Sequence, residues 1–151
     1  MSVVTEHLVK KRVPFGLVSH DESMTAAEES RAVGVLPDHV LKTLVVHTAS
    51  GLALVVLPGS RRANLKLVRE ALGDKHARLA TEEELVRDCP GCEIGAVPPL
   101  GSLFDAPVLV DPEVMALESV VFAAGRHKQS VRAGPEDVFR GERVEIVPLV
   151  Q

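Results

Sequence analysis

The sequence has no Trp and no Tyr, and aromatic residues make up only 3% of its 151 positions. That shortage argues against a stacking platform for single-stranded nucleic acid, and it requires a core built from Val, Leu and Ala, within the 46% of the chain that is hydrophobic. No apolar run is long enough to span a bilayer. The start, MSVVTEHLVKKR, is amphipathic and lacks the apolar centre of a secretory signal. The expectation is a soluble, cytoplasmic protein with no membrane partner. There is no G-x-G-x-x-G after a strand and no Walker motif, so nucleotide-cofactor and NTPase readings are weak. G-x-S-x-G, H-E-x-x-H and a paired-carboxylate signature are missing too, which leaves no obvious protein nucleophile. Cysteine is scarce. Cys89 and Cys92 form one C-P-G-C with no second CxxC and only His76 upstream as a nearby partner. Zinc would need two more ligands, and a thioredoxin-like pair would open a helix rather than a loop. Two reduced thiols are the expected state, with no metal and no cofactor.

What is present is a chain of single-domain length, 1–151, with no repeat, linker or low-complexity tract. The net charge of −4 offers no global attraction for DNA, but the charge is unevenly spread. Residues 61–78 carry six Lys/Arg against two Asp/Glu, and residues 81–93 five acids against one Arg. Arg126, Lys128 and Arg132 form a second basic group. Local patches of this kind can hold phosphates on an acidic protein, or be no more than solvated helix faces.

The pattern predicts a helix over Val3–Lys11, a strand over Phe15–Ser19 and a helix opened by the Thr25/Glu28 capping box and closed near Gly34. Val40–Thr48 and Leu52–Leu57 are β-branched-rich runs around Ser50-Gly51, a hairpin signal. Asn64 caps a helix to Leu72, closed by Gly73, and Thr81/Glu84 box another to about Arg87. Short strands follow at Pro107–Val110, Ser119–Ala123, Ser130–Arg132 and Val144–Val147, with a helical turn at Glu113–Leu117 and a helix from Pro135 ending at Gly141. Hairpins without a steady βαβ rhythm indicate an α+β domain, a curved, mostly antiparallel, barrel-like sheet flanked by helices.

Three features carry chemistry. Lys42 lies inside the apolar strand HVLKTLVVH, facing either solvent or a cavity. The loop GAVPPLG, Gly95–Gly101, combines glycines that let backbone amides approach a ligand with prolines that stiffen it, a candidate oxyanion hole or else a rigid surface turn. His127 follows directly on the strand SVVFA, where it can reach a pocket and titrate near neutrality, or be merely structural.

Three blocks, HVLKTLVV (His39–Val46), DCPGCEIGAVPPLG (Asp88–Gly101) and FAAGRHKQSVR (Phe122–Arg132), occur in an order and spacing that resemble the YbaK/ProX family of aminoacyl-tRNA deacylases, related to the editing domain of bacterial-type prolyl-tRNA synthetases. The likeness runs from about Thr25 to Arg140. It implies a free-standing hydrolase that clears a small non-cognate residue (Ala, Cys or Ser) from tRNA, with the tRNA for Pro the first candidate. In this family the tRNA's own ribose hydroxyl helps to position the water, so no protein nucleophile is needed. Carried over residue by residue, the resemblance assigns catalytic roles to Lys42, Gly95, Gly101 and His127, and substrate-binding roles to Thr43, Ala96, Val97, Pro98, Gly125 and Ser130. The partners implied are the aminoacyl-tRNA acceptor end and, as a further candidate, a synthetase; monomer and homodimer stay open. Ala123 stands where relatives carry Asn, and Lys128 and Gln129 where a small-acidic pair is usual, departures that bear on substrate choice. The alternatives are a non-catalytic module that binds an amino acid, an aminoacyl-adenosine or a synthetase, and a thiol protein using Cys89 and Cys92.

Overall fold

The run LALVVL is apolar at every position because its strand is covered on both faces. In the computed structural model, which describes residues 2–93 and 95–151, β2 (Leu41–Thr48) and β3 (Gly51–Pro58) form the expected hairpin, with Lys42 opposite Leu57 and Thr43 opposite Val56. On β3, Leu54 and Val56 enter one apolar cluster and Val55 and Leu57 another, as the two-residue period dictates. The hairpin is the middle of a five-stranded sheet. The two-residue β4 (Arg78–Leu79) pairs with β2, and β5 (Val108–Val110) and β8 (Val144–Ile146) add in parallel beyond β3. A second sheet is antiparallel throughout, in the order β1 (Gly16–Ser19), β7 (Gln129–Ala133), β6 (Val120–Ala123). A parallel bridge between Val40 and Val121 joins the sheets. The mixed, mostly antiparallel α+β domain is as expected; the strands divide between two sheets and do not close into a barrel.

The larger cluster fills the space between the sheets. Val4 and Leu8 of α1 (Val3–Lys10) meet Leu41, Val45, Leu54, Phe122 and Val131 there. The smaller cluster lies under α3 (Leu65–Leu72) and takes in Val68, Leu109 and Leu149. Burying each such aliphatic side chain is worth roughly 1.5–3 kcal/mol.

Helix ends obey the capping chemistry read from the residues. Asn64 accepts the N–H groups of Lys66 and Leu67, and Gly73 closes α3 at φ 64°. Thr81 and Glu84 make both bonds of the capping box on α4 (Glu82–Asp88). On α2 (Ala26–Val33), Thr25 accepts from Glu28 N–H, but Glu28 reaches back to the N–H of Met24, one residue outside the cap. Each cap contributes about 1 kcal/mol. Two short helices, α5 (Pro112–Met115) and α6 (Pro135–Phe139), start on proline.

The expectation of two reduced thiols is corrected. Cys89 and Cys92 are joined in a disulfide, their Cα atoms 5.5 Å apart. The turn Pro90-Gly91, with Gly91 at φ 89°, brings them together, and the N–H of Cys92 donates to the carbonyl of Cys89.

Candidate functional site

A gap lies beside the first residues of β2. The gap is a cavity of about 480 Å³ walled by β2, the first turns of α2, the loop at Gly95–Val97, and the ends of β6 and β7. Lys42, Thr43, Gly95, Val97, His127 and Ser130 all line it. These are residues from three separate sequence blocks, which the fold brings to one place.

Lys42 is half-buried, and its Nζ donates to the carbonyl of Arg61 at 2.8 Å. Burial lowers its pKa below the ordinary lysine value, and the nearby charge of Arg62 adds to the effect. Strand alternation sends the Lys42 side chain to the face of Leu44 and Val46, and that of Thr43 to the face of Leu41 and Val45. Thr43 Oγ1 is sealed from solvent and has no hydrogen-bond partner among the described residues. An orphaned buried hydroxyl costs about 1–3 kcal/mol.

His127 is only 6% exposed. Its Nδ1 lies 3.0 Å from the carbonyl oxygen of Ser23, which can only accept, so Nδ1 carries the proton and Nε2 is left as the variable atom. Glu93 braces the same residue: its carboxylate accepts the His127 N–H at 3.3 Å and comes within 3.9 Å of Nε2. Gly95 sits against the imidazole at φ 85°; a Cβ there would be 3.6 Å from His127 Cε1.

The other expected residues fall elsewhere. Ala96 and Pro98 are buried behind the cavity wall, and the N–H of Ala96 is already donated to the carbonyl of Glu93. Gly125, at φ 83°, packs against Val4 and Cys92, and its carbonyl accepts the N–H of Glu93. Gly101 opens a 3₁₀ turn at the foot of β5, where a Cβ would run into the carbonyl of Ala106 and the side chain of Val108. None of these four lines the cavity. The stiffened loop thus meets the cavity only at Gly95 and Val97.

Sequence reasoning missed His20, Ser23, Glu29 and Gly59, all of which line the cavity. Gly59 is required there because a Cβ would meet Ala26 and the Val40 carbonyl, so any other residue would push α2 away from β2. Ser130, fully buried, donates to Glu29 Oε2 at 2.5 Å and is 2.8 Å from His20 Nε2. Burial raises the pKa of Glu29, although the Ser130 bond opposes the shift. The one signal for Glu29 was its spacing with Ala26, Ser30 and Val33 on the inner side of α2.

A larger groove, about 1210 Å³, runs between the tip of the β2–β3 hairpin and α3. It holds none of the expected residues, and several of its polar groups are already committed. Asp74 accepts from Ala49 and His76, Arg69 donates to the Ala77 carbonyl, and Arg143 faces Asp105. Among the described residues no group of three or more His, Cys, Asp or Glu side chains is placed to hold a metal, and no helix is long and apolar enough to cross a membrane.

The model of the aminoacyl-tRNA editing domain matches residues 20–140, a span that contains every residue lining the smaller cavity. The chain belongs to the aminoacyl-tRNA editing family. An editing domain removes an amino acid from tRNA, so the chemistry to be accounted for is hydrolysis of an aminoacyl ester. Among its relatives are the proline–tRNA ligases of Heliobacterium modesticaldum, 31% identical over 74% of this chain, and of Shouchella clausii, 31% identical over 88% of it. The chain spans only about a fifth of the length of those enzymes, 19% and 23%. A solved structure described as a candidate trans-editing enzyme for prolyl tRNA synthetase is 26% identical and superposes with a TM-score of 0.86 over 98% of this chain and 95% of that one. A hypothetical protein at 25% identity gives a TM-score of 0.85 over 98% and 99%. The editing domain described here thus has the same fold as these two chains over almost their whole length.

Proposed function

We propose that this editing domain works in trans, in the cytoplasm, clearing a small non-cognate amino acid from a tRNA, with Ala, Cys or Ser on the tRNA for Pro as the first candidates. The observation that carries this reading is the convergence, in one cavity, of the half-buried Lys42, the glycine loop at Gly95–Val97 and the buried His127. Support for action in trans comes from the near end-to-end match with the candidate trans-editing structure. Support for prolyl-tRNA comes from the proline–tRNA ligase relatives.

An aminoacyl-tRNA is an activated ester, so the protein has to hold the carbonyl, stabilise the oxyanion and admit water. Lys42 acts as a point charge on a terminal phosphate of the acceptor end. The amides of Gly95 and Val97 serve the developing oxyanion, since the Ala96 amide is engaged and Pro98 and Pro99 have none. His127 presents Nε2. The ribose hydroxyl of the tRNA positions the water, and proximity supplies most of the acceleration. The serines at the cavity fit this division of labour: Ser23 Oγ points to the His127 carbonyl and Ser130 Oγ is bound to Glu29, so neither stands ready as a nucleophile. The apolar lining of Ala26, Leu41, Val97 and Ala123 suits a small side chain. A pocket that selects by size alone rejects smaller amino acids poorly during charging, which is the need that editing meets.

The test is release of labelled amino acid from a panel of mischarged tRNAs. Release confined to small residues on the tRNA for Pro is the expected result. Tight binding with no release from any member would sink the hydrolase and leave a non-catalytic module.

A further inference from the structure

Glu29 is a buried carboxylate that the fold answers with a single hydrogen bond. It is 7% exposed, lines the cavity, and makes no ion pair with any described Lys, Arg or His. Its single described donor is the Ser130 hydroxyl, on Oε2. A buried carboxylate with one neutral hydrogen bond and no cation is costly, and the open side of this one is a cavity read here as an aminoacyl-ester site.

The hydrogen bonds around it can be counted. His20 Nδ1 lies 2.6 Å from the carbonyl of Asp21, which only accepts, so Nδ1 carries a proton. Ser130 has one hydroxyl proton and two polar neighbours, Glu29 Oε2 and His20 Nε2. Two arrangements satisfy all three groups. In one, Glu29 is ionised, Ser130 donates to it, and a cationic His20 donates to Ser130. In the other, Glu29 is protonated and donates to Ser130, and Ser130 donates to a neutral His20. The same number of protons serves both, so the chain can pass one proton from Glu29 to His20 with no exchange with solvent. A positive group entering beside Glu29 selects the ionised arrangement. The other charged or titratable side chains lining the cavity, Lys42, Arg126 and His127, carry positive charge or none, so Glu29 is the only acidic lining residue among the described residues.

Resting on the reading of this cavity as an editing site, we propose that Glu29 is the amino-end anchor of the substrate: its carboxylate takes the α-ammonium of the aminoacyl group, with Ser130 and His20 as positioning residues that hold it. Lys42 and Glu29 then give the cavity one group for the phosphate and another for the ammonium. This selects an aminoacyl ester against an acyl ester of the same shape without the amine.

The experiment compares deacylation of one mischarged aminoacyl-tRNA with that of its α-hydroxyacyl counterpart, in which a hydroxyl replaces the amine. The proteins are the wild type, Glu29→Gln, Glu29→Asp and Ser130→Ala, each checked for fold by circular dichroism. A charge-assisted hydrogen bond corresponds to about a tenfold preference or more. The wild type is therefore expected to favour the amine substrate by at least about tenfold in kcat/KM, and Glu29→Gln to bring that ratio near one by losing activity on the amine substrate. Glu29→Asp should retain part of the preference, and Ser130→Ala should weaken it. An undiminished preference in Glu29→Gln, or a loss shared equally by both substrates, overturns the proposal alone and leaves the editing reading intact. If no protein, wild type included, releases amino acid from any tRNA, the deacylase reading falls and the proposal falls with it.

Discussion

Two acidic side chains are almost equally buried, Glu29 at the cavity and Asp111 at the end of β5, 7% and 2% exposed, and the fold treats them in opposite ways. Asp111 is completed from within. One oxygen caps α5 by accepting the Glu113 N–H at 3.0 Å, and the other accepts the Leu149 N–H at 2.9 Å, which pins the C-terminal segment into the smaller cluster. Glu29 has one hydroxyl on one oxygen and a cavity beside it. Depth of burial therefore does not separate framework from site. The distinction lies in whether the molecule supplies its own donors. A carboxylate answered on both oxygens by backbone amides is part of the framework; one left half-answered beside a cavity awaits a ligand.

The sharpest test of this contrast is on the cavity side. Lys42→Ala is expected to reduce deacylation by roughly 100-fold or more, the scale on which a misplaced substrate slows a reaction. The fold should be unharmed, because this lysine contributes one hydrogen bond to the Arg61 carbonyl and its charged form is disfavoured by burial. Wild-type turnover would break the mechanism. Asp111→Ala should do the reverse. Leaving the Leu149 amide and the start of α5 without their acceptor is expected to cost about 3 kcal/mol in chemical denaturation, with activity per folded molecule retained. Equal damage to activity in that variant would erase the distinction. Gly101→Ala is next in size. Crowding the Ala106 carbonyl and Val108 is expected to cost roughly 1–3 kcal/mol, again with the activity of the folded fraction preserved. Loss of activity without loss of stability would return Gly101 to the catalytic machinery.

The same contrast explains what could be read in advance. The hairpin and the caps at Asn64, Gly73 and Thr81 were legible because their causes are local: alternation, a turn signal, a side chain that reaches an N–H two or three residues away. The two-residue β4 was not, since Arg78 and Leu79 become a strand only because Val46 and His47 offer them an edge. For the site, Lys42 and His127 stood out as unusual residues within recognisable blocks. Glu29 and His20 did not, because their meaning comes from Ser130, about a hundred residues further along the chain. Gly101 looked like the loop's second catalytic glycine, while its contacts belong to the packing of β5. Glycine is required in both roles, and composition alone does not say which atom it makes room for. The cysteine pair likewise depended on the turn at Gly91, which decides how closely the two sulfurs approach.

The smallest expected effect is on stability at Glu29 itself, and its sign is informative. Burial raises the pKa of this carboxyl above its unfolded value. The folded state therefore binds the proton more tightly than the unfolded chain, and the associated stability is fully present below the unfolded pKa and lost as pH rises through the folded one. Above the folded pKa the empty site carries the penalty of a carboxylate that burial disfavours. Glu29→Gln keeps a hydrogen-bonding partner for Ser130 and removes the charge, so it should raise Tm at pH values above the folded pKa. The gain should shrink as pH falls from the raised folded value towards the ordinary carboxylate value, as the folded wild type takes up its proton first. Thermal melts of both proteins across that range check this. A Tm that falls at pH values above the folded pKa would mean that Glu29 is stabilised by its surroundings as Asp111 is, and would remove the contrast between the two carboxylates.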